Sequence, residues 1–159
     1  SLTGSNQVVT VNGNIVSGTN TSNRMFVNAS TTTLTCVGNL VGGSVSSSAA
    51  VRCSTNGTFN LTGNVTGGSA NGANGLLHSS GTSTVSGTTV TGGTGAYGLT
   101  FNGGTLNLTA SLVDSTFSAV SKTGGTFNYT PSASQTATIG GKTLYPNAGV
   151  SSARHFNGM

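Results

Sequence analysis

The chain repeats a short unit, and this repeat limits how it can fold more than any other feature. Five segments each place two short β-prone runs around a small-residue corner and end in a turn: VTVNGNIVSGT from Val9, LTCVGNLVGGS from Leu34, FNLTGNVTGGS from Phe59, STVSGTTVTGGT from Ser83 and LNLTASLVDST from Leu106. A sixth segment, FNYTPSASQT from Phe127, follows the pattern only half-way. Repeats of this length are typical of proteins in which equivalent units stack and bury their apolar sides on one another.

Aligning the repeats arranges the apolar residues in columns. The third residue of each first run gives Val11, Cys36, Leu61, Val85, Leu108 and Tyr129, at steps of 25, 25, 24, 23 and 21 residues. Two residues earlier, on the same side of a strand, stand Val9, Leu34, Phe59, Ser83, Leu106 and Phe127. The second runs supply Ile15, Leu40, Val65, Val90 and Leu112, and a third run supplies Phe26, Val51, Leu76, Leu99 and Val120. We therefore expect three strands per repeat, each with an inward column.

Three strands and three corners per repeat predict an all-β fold, a right-handed parallel β-helix (β-solenoid) of about six coils with 21–25 residues per coil. The β-helix repeat domain is expected over 1–129. A non-repeating C-terminal cap or connector is expected over 130–159, where TATIGGKTLYP indicates a β-hairpin or capping element. An antiparallel β-sandwich also has short strands and frequent turns, but it does not explain why the same corner recurs in the same phase.

Few residues are available for catalysis. Only 4% of the residues are charged, against about 25% in an average protein, and the one acidic side chain is Asp114. Glycoside hydrolysis ordinarily needs two carboxylates, and neither His78 nor His155 lies in a motif that would activate a serine. We expect no enzymatic activity, no cofactor and no metal, and we assign Asp114 to a hydrogen bond with its own turn.

The charge distribution and the cysteine content argue against several classes of partner and ligand. The cations Arg24, Arg52, Lys122, Lys142 and Arg154 are scattered, so the net charge of +4 does not indicate nucleic-acid binding. No apolar run approaches the roughly 20 residues of a membrane span. The spacing of Cys36 and Cys53 gives no zinc site. We expect both to be small buried side chains, with a single disulfide as the alternative.

Polar residues between the apolar columns form the candidate surface site. The expected ladder consists of Thr33, Thr35, Thr58, Asn60, Thr82, Thr84, Thr105, Asn107, Thr126 and Asn128. Coils about 4.8 Å apart would align like residues along the rod. Thr simply suits exposed strands, but flat Thr-x-Thr arrays also occur in ice-binding proteins. Asn interrupts this array, so ice binding is a lesser alternative.

Two segments carry a family resemblance, FNLTGNVTGGSANGANGLL at 59–77 and TVTGGTGAYGLTFNGGTLNL at 89–108. They resemble repeats in tail-fibre, tailspike and related surface proteins of tailed bacteriophages, over about residues 6–129. Bacterial adhesins and autotransporter passengers use similar repeats. The resemblance implies a homo-oligomer, with a trimer favoured, or contacts with other virion proteins, and a glycan of the host surface as a further partner. The acidic pair of glycan-cleaving spikes has no counterpart here, and no individual binding residue carries over.

These observations favour a non-enzymatic virion structural or host-attachment protein, a rigid rod in a fibre, spike or capsid decoration, located on the virion surface or otherwise extracellular. The alternative is a bacterial surface adhesin or an extracellular filament subunit with the same fold. Binding by such a chain would depend on Asn, Ser and Thr hydrogen bonds. Tyr97 is expected to cover a corner.

Overall fold

In a computed structural model, the described residues are 6–18, 25–27, 31–132, 137–139 and 142–144, and they form strands and turns without any helix. The strands are β1 (Val8–Asn12), β2 (Ile15–Val16), β3 (Met25–Val27), β4 (Thr33–Val37), β5 (Leu40–Val41), β6 (Val51–Cys53), β7 (Thr58–Thr62), β8 (Val65–Thr66), β9 (Leu76–His78), β10 (Thr82–Thr91), β11 (Leu99–Phe101), β12 (Thr105–Val113), β13 (Val120–Lys122), β14 (Thr126–Tyr129), β15 (Ala137–Ile139) and β16 (Lys142–Leu144).

Equivalent strands of successive coils pair in parallel and in register. Along the first runs, the paired residues are Val8, Thr33, Thr58, Thr82, Thr105 and Thr126, which gives coils of 25, 25, 24, 23 and 21 residues. The third runs form a second parallel sheet in the order β13-β11-β9-β6-β3. The predicted parallel β-solenoid is confirmed. It has about five turns, slightly fewer than the six coils expected.

The coil count differs because the sixth repeat leaves the pattern. Strand β14 pairs with β12, and β15 continues the second-run position by pairing Ala137 with Leu112. The chain then reverses, because β15 and β16 pair antiparallel. The hairpin expected in TATIGGKTLYP is therefore present, while most of the segment 130–159 lies outside the described residues.

The predicted apolar columns line a continuous core. Leu34, Phe59 and Leu106 of the first runs are fully buried, as are Leu40 and Val65 of the second runs. Residues between them face outward, since side chains alternate along a strand. Each coil buries its apolar side on its neighbours, so the hydrophobic effect acts along the whole stack rather than around one centre.

One predicted column is wrong by one residue in the first coil. Strand β3 places Met25, not Phe26, beside Val51, and Phe26 pairs with Arg52. The third run begins after a corner of variable length, so spacing within the sequence does not fix its register. From Val51 onward the predicted third-run column is correct, with Val51 paired to Leu76 and Leu76 to Leu99.

Glycines at the first corner, which lies between the first and second runs of a coil, allow the coils to stack closely. Gly38 and Gly63 both have φ of +155°, a conformation that side-chain-bearing residues rarely adopt. A Cβ atom on Gly38 would overlap the carbonyl group of Gly13 in the preceding coil. Each of these glycines is followed by an asparagine, Asn39 and Asn64.

Both cysteines are free and buried, Cys36 in the first sheet and Cys53 in the second. This confirms the expectation of two small buried side chains over a disulfide. Within the described ranges, no helix has the length and apolar character required to cross a bilayer.

Gly38→Ala should strongly destabilise the rod, because it adds an inter-coil clash to an unfavourable φ. Gly13 provides the matched control: its φ is +140°, and a Cβ atom there meets no atom within 4 Å. We expect Gly13→Ala to cost about 1–3 kcal/mol from backbone conformation alone. Gly38→Ala should cost about 2 kcal/mol more, measured by urea denaturation. Equal losses in the two variants would contradict the proposed close contact.

Candidate functional site

The predicted ladder occupies one outward face of the first sheet. Its two columns are Thr33, Thr58, Thr82, Thr105 and Thr126, and Thr35, Asn60, Thr84, Asn107 and Asn128. Each residue lies beside its equivalent in the next coil, so the register brings together all ten predicted site residues. Most are half-buried, as expected for side chains packed against like neighbours on a sheet surface. We call this surface the ladder face.

Neighbouring side chains on the ladder face contact one another along the rod. Asn128 Nδ2 donates a hydrogen bond to Asn107 Oδ1 at 2.9 Å. In an adjacent outward column, the hydroxyl groups of Thr109 and Thr130 are 3.3 Å apart. Amide and hydroxyl groups can each donate and accept, so the face presents a regular, uncharged array of hydrogen-bonding groups.

The ladder face is uncharged but not uniformly polar. Val8 pairs with Thr33 and is 75% exposed, while Val37, two outward columns away, is 50% exposed. The described outward positions on the first-run strands include no Asp, Glu, Lys or Arg. A partner would therefore meet hydroxyl, amide and methyl groups without the cost of removing water from charges.

A shallow groove runs along the Gly-rich corners that follow the second runs. It has a volume of about 420 Å³ and glycine pairs along it, for example Gly67 and Gly68, with exposed hydroxyl residues such as Ser69 and Thr94. The glycines are needed because a Cβ atom on Gly67 would overlap the Ala96 carbonyl. Because this close backbone contact leaves no room for a side chain, the groove lacks bulky side chains.

Two aromatic side chains pack together close to this corner. Tyr97 is half-buried and meets Phe117 of the next coil edge-to-face, with ring centroids 5.4 Å apart and planes at 83°. The Phe117 N–H also donates to the Gly93 carbonyl at 3.1 Å. The expectation that Tyr97 covers a corner is consistent with this packing.

A polar cluster inside the core was not anticipated from the sequence. His78 and Ser83 are both fully buried, and His78 Nδ1 lies 2.7 Å from Ser83 Oγ. The sulfur of Cys53 lies 3.9 Å from the same hydroxyl, and the His78 ring stacks on Phe101 at 5.2 Å. Two signals could have revealed the cluster: Ser83 interrupts an apolar column, and His78 stands in the column of Cys53 and Phe101.

The cluster has the spacing of a nucleophile and its base but no access to a substrate. Burial lowers the pKa of His78 to about 4, and the backbone of Gly81 raises it by less. Burial is the larger of these two effects, and His78 Nε2 makes no close hydrogen bond. Burial raises the pKa of Cys53 to about 12, with an opposing effect from Ser83. Both groups are therefore neutral near pH 7.

Asp114 lies in the corner that follows β12. Its Oδ1 accepts a hydrogen bond from the Ala119 N–H at 2.7 Å, which confirms the predicted bond to its own turn. Burial also raises the pKa of Cys36. Within the part of the chain that the structure describes, no three His, Cys, Asp or Glu side chains are grouped as metal ligands. His155 lies outside the described residues.

A second asparagine ladder, at the first corner, was also missed. Asn14 Oδ1 accepts from the Asn39 N–H, and Asn39 Oδ1 accepts from the Asn64 N–H, both at 2.9 Å. Asn64 Oδ1 then accepts from the N–H groups of Thr88 and Thr89 at 3.0 and 2.9 Å. The Gly-Asn dipeptide that recurs at 13–14, 38–39 and 63–64 is the sequence signal for this ladder.

No known protein family, curated protein or solved structure matches this chain. Its functional assignment therefore depends on the residues and geometry described above.

Asn39→Ala should destabilise the rod, because it leaves the Asn64 N–H without its acceptor. We expect a loss of about 1–3 kcal/mol in the free energy of unfolding, measured by urea denaturation. Asn60→Ala, on the ladder face, is the matched control and should change stability by less than about 0.5 kcal/mol. If Asn39→Ala proved no more costly than Asn60→Ala, the corner ladder would have no stabilising role.

Proposed function

We propose that this chain is a non-enzymatic virion surface protein, a rigid β-solenoid rod in a fibre, spike or capsid decoration that contributes to host attachment. The observation that carries the proposal is the ladder face: ten Thr and Asn residues in register on a rod with a continuous core. Such a surface can make many weak, parallel hydrogen bonds, and stacked coils hold it rigid.

The interior cluster supports the non-enzymatic part of the proposal. The Ser83–His78 pair has catalytic spacing, yet both side chains have 0% exposure. A substrate could reach the Ser83 hydroxyl only if the coils separated. We therefore assign this pair to the core.

We propose that the ladder face contacts the partner, either a glycan of the host surface or another protein of the virion, including copies of this chain in a trimer. Hydroxyl and amide groups match the donors and acceptors of a neutral glycan. A bacterial surface adhesin or extracellular filament subunit would use the same rod and face. The family resemblance of the repeats favours the virion.

Immunogold electron microscopy should locate the protein. We expect antibody labelling at the tail or surface of purified phage particles, and a mass close to three times 15.5 kDa for the purified rod by light scattering. Labelling of a bacterial surface or filament would favour the adhesin alternative. A free monomer outside any particle or filament would refute both.

Substitutions on the two sheets should separate binding from folding. Thr84→Lys places a charge in the ladder face, whereas Ser121→Lys places one on an outward position of the second sheet. We expect Thr84→Lys to reduce binding of the rod to host cells by about tenfold or more, since a buried unpaired charge typically costs well over 1 kcal/mol. Ser121→Lys should bind normally. Equal binding by both variants would exclude the ladder face as the contact surface.

Ice binding remains a second candidate, because the Thr column from Thr33 to Thr126 is in register over five coils. The Asn residues in the neighbouring column weaken this candidate. It predicts thermal hysteresis that Thr82→Tyr abolishes and Ser121→Tyr preserves. Absence of hysteresis in the unsubstituted protein would eliminate ice binding without affecting the attachment proposal.

A further inference from the structure

His78 joins three successive coils inside the core. It lies on β9, paired with Cys53 of the preceding coil and with Phe101 of the following coil. Its ring stacks on Phe101, its Nδ1 is 2.7 Å from Ser83 Oγ, and its Nε2 has no hydrogen-bond partner. A Cβ atom on Gly104 would lie 2.9 Å from Nε2, so the corner backbone closes over that nitrogen. The backbone of Gly81 favours a proton on the ring, but its effect on the pKa is smaller than the opposing effect of burial.

No negative charge faces this ring from the elements packed around it. On β6, Cys53 points inward as a neutral thiol and Arg52 occupies an outward position. Strands β10 and β11 contribute no charged residue, and Lys122 on β13 stands two coils away in the same column. The chain's only acidic side chain, Asp114, is bonded to the Ala119 N–H in a corner after β12. A protonated His78 would be a buried cation without a counter-charge.

We propose that His78 is an acid-sensitive latch: its neutral ring holds the second to fourth coils together, and protonation in mildly acidic solution opens that segment of the rod. Ordinary acid denaturation proceeds mainly through carboxylates that must take up protons. This chain has one acidic side chain. Among the described residues His78 is the one histidine, and we assign the main response to acid to it, which goes beyond the attachment role proposed above.

The direction of the pKa shift of His78 sets the pH range in which acid destabilises the rod. Burial lowers the pKa of His78 from 6.5 to about 4, so between these values the unfolded chain binds more protons than the folded one. The stabilising effect is fully present above pH 6.5 and is lost as the pH falls toward 4. Each pH unit within this window lowers the ratio of folded to unfolded protein by up to about tenfold.

Unfolding midpoints measured in urea between pH 7.5 and 3.5 test the latch. We expect the midpoint of the unsubstituted rod to fall between pH 6.5 and 4 and to level off below that range. His78→Phe extends the stack with Phe101 and should remove the fall. Asp114→Asn and His155→Gln remove the acidic side chain and the other histidine of the chain; they are controls, and both should keep the fall. A midpoint independent of pH in the unsubstituted rod, or an equal fall in His78→Phe, would overturn the proposal.

Hydrogen–deuterium exchange of the unsubstituted rod keeps the proposal testable if His78→Phe does not fold. After correction for intrinsic exchange rates, protection at pH 4.5 should drop first in β6, β9 and β11, relative to pH 7. Uniform loss along the rod, or loss that begins in β12 and β13 near Asp114, would refute a latch at His78.

Discussion

In-register pairing between equivalent strands is the constraint on which the rest of the structure depends. Each first-run strand bonds to its counterpart one coil away, from Val8 beside Thr33 to Thr105 beside Thr126. The pairing places like side chains above one another, which creates the apolar columns inside and the Thr and Asn columns outside. A change in one coil therefore acts mainly on the two coils next to it, since a solenoid has few contacts over longer distances.

Most of the fold could be predicted from the repeat, because stacked coils are stabilised when apolar residues recur at the same position in each coil. Leu40, Val65 and Val90 stand in one inward column in both the sequence and the structure. The first coil's third run could not be placed, because a corner of unequal length precedes it and Met25 and Phe26 are both apolar. The ladder face could be predicted because Thr82 and Thr84 alternate with buried residues at a period of two.

The two polar clusters could not be predicted from spacing alone. The distance between His78 and Ser83 depends on how the turn between β9 and β10 brings the two sheets together, and no periodicity encodes that geometry. The Asn14, Asn39 and Asn64 ladder depends on backbone N–H groups of the next coil, which every residue type except proline carries. The hydrogen-bond partners of polar residues inside a repeat therefore follow only from the three-dimensional register of the coils.

The decreasing coil length, from 25 residues in the first coil to 21 in the last, leaves the paired strands in register. Between β10 and β12, for example, Ser86 and Thr89 align with Thr109 and Ser111, so one residue is lost at the corner while the strands on either side stay paired. Corners of this solenoid therefore absorb insertions and deletions, and sequence length can change from coil to coil without a change of core.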